Sequence, residues 1–327
     1  VAVRVIVVDD GSTDETPDVL ATFGDTITAI RTENRGQAAA VNTGFTASAA
    51  ELVLFLDADD VLLPGALARA SAALAAHPGA VKAQWAMALA DAALVPSGAI
   101  VPAAHVPMPS GDARDAERRY GFDLCWAATS GNLFRRSALD ALLPIPEDPF
   151  RIGADWYLQH MSALLGPVVS LREPGTLRRV HGANAYEQAA HDTVDLRHVR
   201  ASVEKTVATT DAMRAAVRAA GDEGYDGPRA VSSVADRAIS LRLDRARHPI
   251  PGDSRRAILR DGLRAAAGRD DCSPALRIAF AGWFCAMTVA PRKLARMLAR
   301  WWLFPEQRRT VNRVLARLHR QPAEGLR

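Results

Sequence analysis

The chain has 327 residues, of which 49% are hydrophobic and 24% charged, and its formal net charge is +3. This length and composition are typical of a globular protein with one large domain or two modest ones, and they exclude a disordered chain. The three cysteines form no C-x-x-C pair, which argues against a disulfide framework or zinc site and indicates a reducing compartment. Residues 1–184 hold 21 acidic and 14 basic side chains, whereas residues 185–327 hold 16 and 26, so the two parts carry opposite net charges.

The first part of the chain alternates strand and helix patterns. Runs of β-branched and apolar residues predict strands at 3–8, 27–31, 52–57 and 80–89. Helical patterns lie at 16–23, 36–50 and 63–77. Such alternation predicts βαβ units, and therefore an α/β fold with a mostly parallel sheet and helices on both faces. We expect the strands at 3–8 and 52–57 to be fully buried, because they contain almost no polar residue.

From about residue 185 the pattern is helical only. Helices are predicted at 186–220, 229–247, 253–268, 275–289, 291–303 and 305–320. We therefore expect two regions, an α/β domain at 1–184 and a helical region at 185–327. The most apolar run, 275–290, is shorter than the ~20 residues of a spanning helix and contains Arg277, so no membrane crossing is expected.

Carboxylates follow two of the predicted strands. Asp9 and Asp10 end the first strand, and Asp57, Asp59 and Asp60 end the strand at 52–57. Ligands of open α/β sheets bind at this edge, and adjacent carboxylates repel each other unless a cation neutralises them. Mg²⁺ takes oxygen ligands and often retains phosphate oxygens, so the pattern predicts a metal-bridged diphosphate site. Turns and helix caps are the alternative interpretation, and the spacing of an EF-hand loop is absent.

Three segments occur in order: "VIVVDDGSTDET", "ENRGQAAAVNTGF" and "FLDADDVLLPGAL". Together they resemble the nucleotide-sugar-binding half of family 2 glycosyltransferases, which have the Rossmann-like GT-A fold, and the resemblance covers about residues 1–184. It implies an inverting, metal-dependent enzyme that moves one sugar from a nucleotide-diphospho-sugar to a saccharide or lipid-linked acceptor, in cell-envelope polysaccharide synthesis. It also implies that a further strand and helix precede residue 1, with that strand in the middle of the sheet.

The resemblance assigns roles to residues of the donor site. Asp10 is expected to hold the base of the nucleotide, Asp9 to shape the turn, and Arg35 to lie near the base and phosphates. The predicted donor-nucleotide set is Asp9, Asp10, Ser12, Arg35, Asn42 and Asp57. A divalent cation, Mg²⁺ or Mn²⁺, is expected on Asp57, Asp59, Asp60 and His181, where it would offset the charge of the departing diphosphate. A structural role is the alternative for His181.

Three later segments carry the predicted acceptor side and the base. "TSGNLFRRSAL" resembles the family's segment below the acceptor pocket, and a plain turn is the alternative. In "IGADWYLQHMSALLG", Ala154 replaces the glutamate that is common in the family, but Asp155 is retained as the candidate base; a helix cap is its alternative role. "LRRVHGAN" resembles the strand that closes the catalytic domain, where Arg178 or Arg179 could offset diphosphate charge. The predicted acceptor or donor-sugar contacts are Ser130, Gly131, Asn132, Trp156 and Arg179.

The segments 291–304 and 305–321 are basic amphipathic helices with tryptophans in the first. This pattern is typical of an interfacial membrane helix, and equally of helices that pack on neighbours and expose their arginines. Membrane contact through 275–320 is therefore one expectation, with the protein in the cytoplasm or on the inner face of the plasma membrane. No pattern for reading bases accompanies the charge, so nucleic-acid binding is not expected.

Two other functions remain open from the sequence. A sugar-nucleotidyltransferase would need a glycine-rich phosphate loop after the first strand, and the sequence there has none. A catalytically degenerate, truncated paralogue acting as an interaction module is the non-enzymatic alternative. A processive synthase is not expected, because Met297 stands where such enzymes have the glutamine of their Q-x-x-R-W element.

Overall fold

The computed structural model describes residues 2–181 and 194–304. The chain forms two compact units. The first comprises Val1–Arg118, Leu124–Glu187 and Ala208–Tyr225, and the second comprises Arg119–Asp123, Gln188–Val207 and Asp226–Arg327. Each unit is made of three separate segments, so the division does not test a single boundary between residues 184 and 185. That boundary stays a prediction.

The first unit contains the strands and the shorter helices. Its strands are β1 Ile6–Asp10, β2 Thr28–Thr32, β3 Leu52–Leu54, β4 Val61–Leu62, β5 Lys82–Ala90, β6 Pro96–Val101, β7 Asn132–Arg135 and β8 Val168–Arg179. Its helices are α1 Thr16–Ala21, α2 Gln37–Thr46, α3 Ala66–Ala76, α5 Arg136–Asp140 and α6 Ala154–Leu165, and α4 spans Arg114–Tyr120. The predicted alternation of strands and helices is confirmed up to β5.

The strands form two sheets. β1 pairs in parallel with β2, so that Ile6 lies opposite Thr28 and Asp10 opposite Thr32. The larger sheet has the order β3-β7-β5-β8-β4, with β6 also on β5. Within it only β5 and β8 pair in parallel, while the other four pairs are antiparallel. The α/β class is confirmed, but the strand directions are more mixed than the mostly parallel sheet predicted, because β7 lies between β3 and β5 and runs opposite to both.

The first strand is less buried than predicted. Val3 is 59% exposed and Val5 45%, and Asp9 is the buried residue of β1. A groove of about 320 Å³ lies beside β1, lined by Ile6 and Val8 together with residues of β3 and α2. Within residues 2–181, β2 is the one strand paired with β1, and β7 the one paired with β3. The expected additional strand in the sheet stays a prediction.

The second unit is helical, as predicted. It contains α8 Val231–Leu243, α9 Arg255–Ala267, α10 Pro274–Val289 and α11 Arg292–Leu303, and α7 spans Leu196–Ala219. Its core includes Ile239, Phe284 and Met287, each at most 1% exposed. Ser254 and Ser273 cap α9 and α10 by accepting hydrogen bonds from backbone N–H groups. None of the helices within 2–181 and 194–304 is long and apolar enough to cross a membrane, and the predicted helix 305–320 lies outside the described residues.

Candidate active site

Carboxylates predicted from the sequence line one cleft of the first unit. The cleft has a volume of about 440 Å³. Its lining includes Asp10 from the end of β1, Asp57, Asp59 and Asp60 from the loop after β3, and Asp155 from the start of α6. The other lining residues are Asn34, Gly36, Gln37, Met87, Ala128, Thr129, Arg151, Ile152 and Arg178. Segments up to 145 residues apart in sequence thus place five carboxylates around one space.

The two aspartates at the end of β1 have different surroundings. Asp9 is buried, and its Oδ1 accepts the backbone N–H of Ser12 at 2.8 Å. Hydrogen bonds from Ser12, with a smaller contribution from Arg31, lower the pKa of Asp9. Asp10 lines the cleft, and its two oxygens accept the backbone N–H groups of Arg35 at 2.9 Å and Gly36 at 2.6 Å. Asp9 and Ser12 therefore hold the turn, while Asp10 ties the turn to the loop before α2.

The loop before α2 has a conformation that requires glycine. Gly36 has φ +94°, and a Cβ there would lie 2.5 Å from the carbonyl oxygen of Arg151. The neighbouring Arg35 forms a bidentate ion pair with Glu147, which raises the pKa of the guanidinium. Asn42, farther along α2, exchanges two hydrogen bonds with the backbone of Ile145, at 2.9 and 2.8 Å. Arg35 and Asn42 are outside the lining of the cleft, so their donor contacts stay predictions.

Gln37 connects the first residues of α2 to two other parts of the site. Its Nε2 donates to Asp57 Oδ1 at 3.1 Å, and its Oε1 accepts the N–H groups of Gly153 at 2.8 Å and Ala154 at 3.0 Å. Gln37 was not among the residues predicted from the sequence. The sequence did contain a signal for it: Gln37 directly follows Gly36 and begins the helix after the "NRG" segment, so a role at the donor site could have been predicted.

Asp57 is the most strongly perturbed carboxyl group of the cleft. Burial raises its pKa, and the charges of Asp155, Asp60 and Asp59 raise it further, to about 7. Burial, and secondarily Asp59, also raise the pKa of Asp60. Both effects arise because negative charges are held close together with little water, a condition that a bound cation relieves.

The residues after β3 offer ligands suited to a hard divalent cation. Asp59 Oδ2 lies 3.1 Å from His181 Nε2, and Asp60 Oδ1 accepts the backbone N–H of Arg179 at 3.3 Å. In the described part of the chain, no three His, Cys, Asp or Glu side chains form a ready metal cage. Mg²⁺ is commonly held by one or two carboxylates together with water and phosphate oxygens, so this donor set fits it.

Asp155 lies in the first turn of α6 and faces the cleft. Gly153, with φ +90°, precedes the helix, and the N–H of Trp156 donates to Asp155 Oδ1 at 2.9 Å. Asp155 Oδ2 accepts the N–H of Thr129 and Nε2 of Gln159, both at 3.3 Å. Ala154, at the position of the family's glutamate, is fully buried. The aspartate therefore has a fixed orientation towards the space that it shares with Asp57.

The predicted contacts at 130–132 lie behind the wall of the cleft, and Ala128 and Thr129 form that wall. Ser130 and Asn132 are at most 1% exposed, so they present no surface to a ligand. Ser130 Oγ accepts the N–H of Asp57 at 3.0 Å, and Asn132 Nδ2 donates to the carbonyls of Ala127 and Ala128. Gly131 packs closely on Trp85, because a Cβ there would lie 2.8 Å from the Trp85 carbonyl oxygen.

Two further predicted contacts, Trp156 and Arg179, are also outside the cleft lining. The ring of Trp156 packs edge-on against His160, with 4.6 Å between centroids. Arg179 reaches the site through its backbone N–H on Asp60, and Arg178 is the arginine that lines the cleft. Successive side chains of a strand point to opposite faces, so only one of these two adjacent arginines can face the cleft. The sequence did not show which face of the strand would line the cleft.

A buried lysine supports the wall from behind. Lys82 on β5 is fully buried, its Nζ donates to Asn132 Oδ1 at 2.9 Å, and it lies 4.7 Å from the centroid of the Trp126 ring. Burial lowers its pKa to about 7, against the opposing effects of Glu117 and Asp155. Glu117, also fully buried, accepts hydrogen bonds from Trp126 and pairs with His160 at 2.7 Å. In the sequence, this cluster of Lys82, Glu117 and His160 could have been suspected from the lysine inside a mostly apolar predicted strand.

Solved structures of other proteins have a fold similar to that of this chain. TarS of S. aureus, residues 1–349 in complex with UDP-GlcNAc, superposes with a TM-score of 0.51 at 13% identity, over 91% of this chain and 82% of that chain. The same protein in complex with UDP gives 0.50 at 14% identity, over 91% and 81%. At such identities the likeness concerns the fold alone. The fold and the cleft define a protein of the GT-A type.

The sequence comparisons match one family over part of the chain. Residues 2–143 match the family described as glycosyl transferase family 2. An uncharacterized glycosyltransferase of Nostoc sp., alr2836, is 33% identical over 197 residues, which cover 58% of this chain and 60% of the relative's length. Residues 2–143 therefore have the sequence pattern of family 2 glycosyltransferases, and the resemblance noted in the sequence is confirmed over that segment.

Proposed function

We propose that this protein is an inverting, metal-dependent glycosyltransferase that moves one sugar from a nucleotide-diphospho-sugar to a saccharide or lipid-linked acceptor. The observation that carries the proposal is the convergence of Asp10, Asp57, Asp59, Asp60 and Asp155 on one cleft. Crowded carboxylates of this kind favour a cation and, through it, a polyphosphate ligand. The raised pKa of Asp57 supports the same interpretation.

The loop after β3 would hold the metal. Asp57, Asp59 and Asp60, with His181 beside Asp59, supply oxygen and nitrogen ligands suited to Mg²⁺ or Mn²⁺. When bound, the cation would act as a Lewis acid that offsets the charge on the departing nucleoside diphosphate. Arg178 on the cleft wall adds positive charge at the same place.

The end of β1 and the loop before α2 would hold the nucleotide. Asp10 lines the cleft beside Asn34 and Gly36, and we assign it to the base, with Arg35 near the phosphates. Asp9, Ser12 and Asn42 support the two loops through the hydrogen bonds described above. TarS, a structural neighbour, has been crystallised in complex with UDP-GlcNAc, which agrees with a nucleotide-sugar donor.

Asp155 would act as the general base. Thr129 and Gln159 donate to its Oδ2, so the carboxylate is oriented before any ligand binds. In the reaction, Asp155 takes the proton of an acceptor hydroxyl while the hydroxyl oxygen bonds to the anomeric carbon from the face opposite the diphosphate. The bond between the anomeric carbon and the diphosphate oxygen breaks, and the configuration is inverted.

The acceptor side follows from the position of the base. We place the acceptor against Thr129, Ile152 and Arg178, which line the cleft. Trp156 and Arg179 lie outside that lining and stay proposed contacts of the acceptor or donor sugar. Ser130, Gly131 and Asn132 would contribute by holding this wall, and direct contact with the sugar would require the wall to open. A saccharide of the cell envelope, made at the cytoplasmic side of the membrane, is the proposed acceptor.

The test combines donor binding with transfer. Purified protein is heated with Mn²⁺ and a panel of UDP-, dTDP- and GDP-sugars, and nucleotide release is measured with and without EDTA. We expect one donor class to raise the melting temperature and to be consumed only with metal. Asp155→Asn should keep the melting shift and lose transfer, while the exposed Asp18→Asn should behave like the wild type.

Three results would redirect the proposal. If no nucleotide sugar shifts the melting temperature, the donor site is wrong. Binding without transfer to any acceptor would favour the catalytically degenerate paralogue, an interpretation to which Ala154 gives some support. Release of pyrophosphate from a nucleoside triphosphate and a sugar phosphate would instead identify a sugar-nucleotidyltransferase.

A further inference from the structure

One side of α10 is exposed and apolar along its whole length. The exposed residues recur at helical spacing, and they are Pro274, Ala275, Ile278, Ala279, Gly282, Cys285 and Val289. Ile278 is 71% exposed and Val289 is 80% exposed. An ordinary solvent-facing helix has charged or polar residues on this side, so the stripe indicates a surface that contacts something other than water.

The two helices that flank α10 in the chain, α9 and α11, also expose apolar residues. Leu263 on α9 and Ile278 and Ala281 on α10 line a shallow groove of about 330 Å³. On α11, Leu294 is exposed and Met297 is 65% exposed. The opposite sides of both helices pack into the same core, through Phe284 and Met287 on α10 and through Ala295 and Ala299 on α11. The outer sides therefore face away from that core.

Basic residues accompany the apolar ones. Residues 274–303 contain five basic side chains and no acidic one. Lys293 and Arg296 are exposed next to Met297, and Arg277 borders the groove. We call the set formed by Arg277, Ile278, Cys285, Val289, Lys293, Arg296 and Met297 the basic apolar face.

We infer that the basic apolar face docks on an anionic phospholipid bilayer. Its exposed methyl-bearing side chains suit the boundary between headgroups and acyl chains, and the positive charge of residues 274–303, which hold no acidic side chain, complements anionic headgroups. No helix of the described residues is long and apolar enough to span, so the contact lies in the plane of the interface. The inference concerns the helical unit alone and does not depend on the proposed transfer reaction.

The probe is a set of large unilamellar vesicles added to the full chain. Phosphatidylcholine vesicles and phosphatidylcholine vesicles containing phosphatidylglycerol are compared by co-sedimentation. We expect binding to the anionic vesicles only, and release at high salt, because each basic residue near such a surface contributes about five-fold to partitioning. Lys293→Gln with Arg296→Gln should weaken binding by about 25-fold on that basis.

The apolar part has its own variants and a matched control. Ile278→Ser and Val289→Ser replace exposed side chains, so the fold should be retained, as circular dichroism would verify, and vesicle binding should fall. Arg197→Gln removes an exposed arginine of α7 outside the face and should leave binding unchanged. A polarity-sensitive dye on Cys285, the exposed cysteine, should shift to the blue on contact with anionic vesicles.

Three results would overturn the inference. The first is equal binding to neutral vesicles, since the charge would then have no role. The second is equal loss with Arg197→Gln, which would show a general charge effect. The third is absence of binding to the anionic vesicles. If Ile278→Ser then abolishes self-association, the face is an interface between two copies of the chain.

Discussion

Gln37 and Asp57 are joined by a hydrogen bond of 3.1 Å between Nε2 of the glutamine and Oδ1 of the aspartate. The same glutamine accepts the first two N–H groups of the segment that carries Asp155. A single uncharged side chain therefore sets the separation between the candidate metal site and the candidate base. This arrangement makes the geometry of the cleft sensitive to a residue that performs no chemistry itself.

Replacing Gln37 should impair the site more than the fold. Gln37→Ala leaves two partly buried N–H groups and one oxygen of Asp57 without their partner, at a cost of about 1–3 kcal/mol in the free energy of unfolding. Because Asp57 and Asp155 lose their common anchor, we expect kcat/KM to fall by about ten-fold or more. Denaturant unfolding and initial-rate measurements check the two effects. Thr43→Val removes a hydroxyl that bonds only within α2 and should leave kcat/KM unchanged.

Lys82 should make stability depend on pH. Its pKa is lowered to about 7 in the folded protein, so between pH 7 and its ordinary value of 10.5 the unfolded chain binds more protons. Stability contributed at this site therefore rises as the pH rises through that window. Lys82→Met should remove the dependence, with a difference from the wild type on the order of 3 kcal/mol between pH 7 and 10. Unfolding curves that run parallel for the two proteins across this window would contradict the assignment.

Loss of divalent cation should be measurable without any acceptor. Mn²⁺ with UDP should raise the melting temperature by several degrees at saturating concentration, corresponding to about 2–3 kcal/mol. Asp59→Asn removes one proposed ligand and should abolish most of this shift. Asp25→Asn, an exposed aspartate on the same unit, is the control and should retain it. A shift of equal size in EDTA would mean that the nucleotide binds without metal.

Alanine substitutions at two glycines with positive φ, Gly36 and Gly98, compare a position with a steric clash to a position without one. Gly36→Ala places a Cβ 2.5 Å from the Arg151 carbonyl oxygen, whereas Gly98→Ala, at φ +79°, meets no atom within 4 Å. Both positions have positive φ, but Gly36, with ψ 177°, lies in a region that essentially only glycine adopts, so its backbone cost of about 1–3 kcal/mol adds to the steric one. Gly36→Ala should cost at least about 2 kcal/mol more than Gly98→Ala and should reduce donor binding, because the loop that holds Asp10 must move. Equal destabilisation by both would exclude the steric explanation.

Much of the candidate site was predictable from local pattern. Asp10 and Asp57 follow strand-like runs, and Asp155 begins a helical one, so each could be located from a few neighbouring residues. The helices of the second unit were predictable for the same reason, since apolar spacing is a property of a short stretch. The basic character of α11 is likewise visible in the sequence itself.

Other features depended on partners far along the chain. The antiparallel course of β7 and the exposure of Val3 follow from which strands pair, and no local pattern contains that information. Lys82 meets Asn132 across 50 positions, and Gln37 meets Gly153 across 116. The sequence alone determined which residues have the chemistry of a metal and nucleotide site. The tertiary structure decided which of them share a cleft and which support its wall, because burial and hydrogen-bond partners are settled only when distant segments pack together.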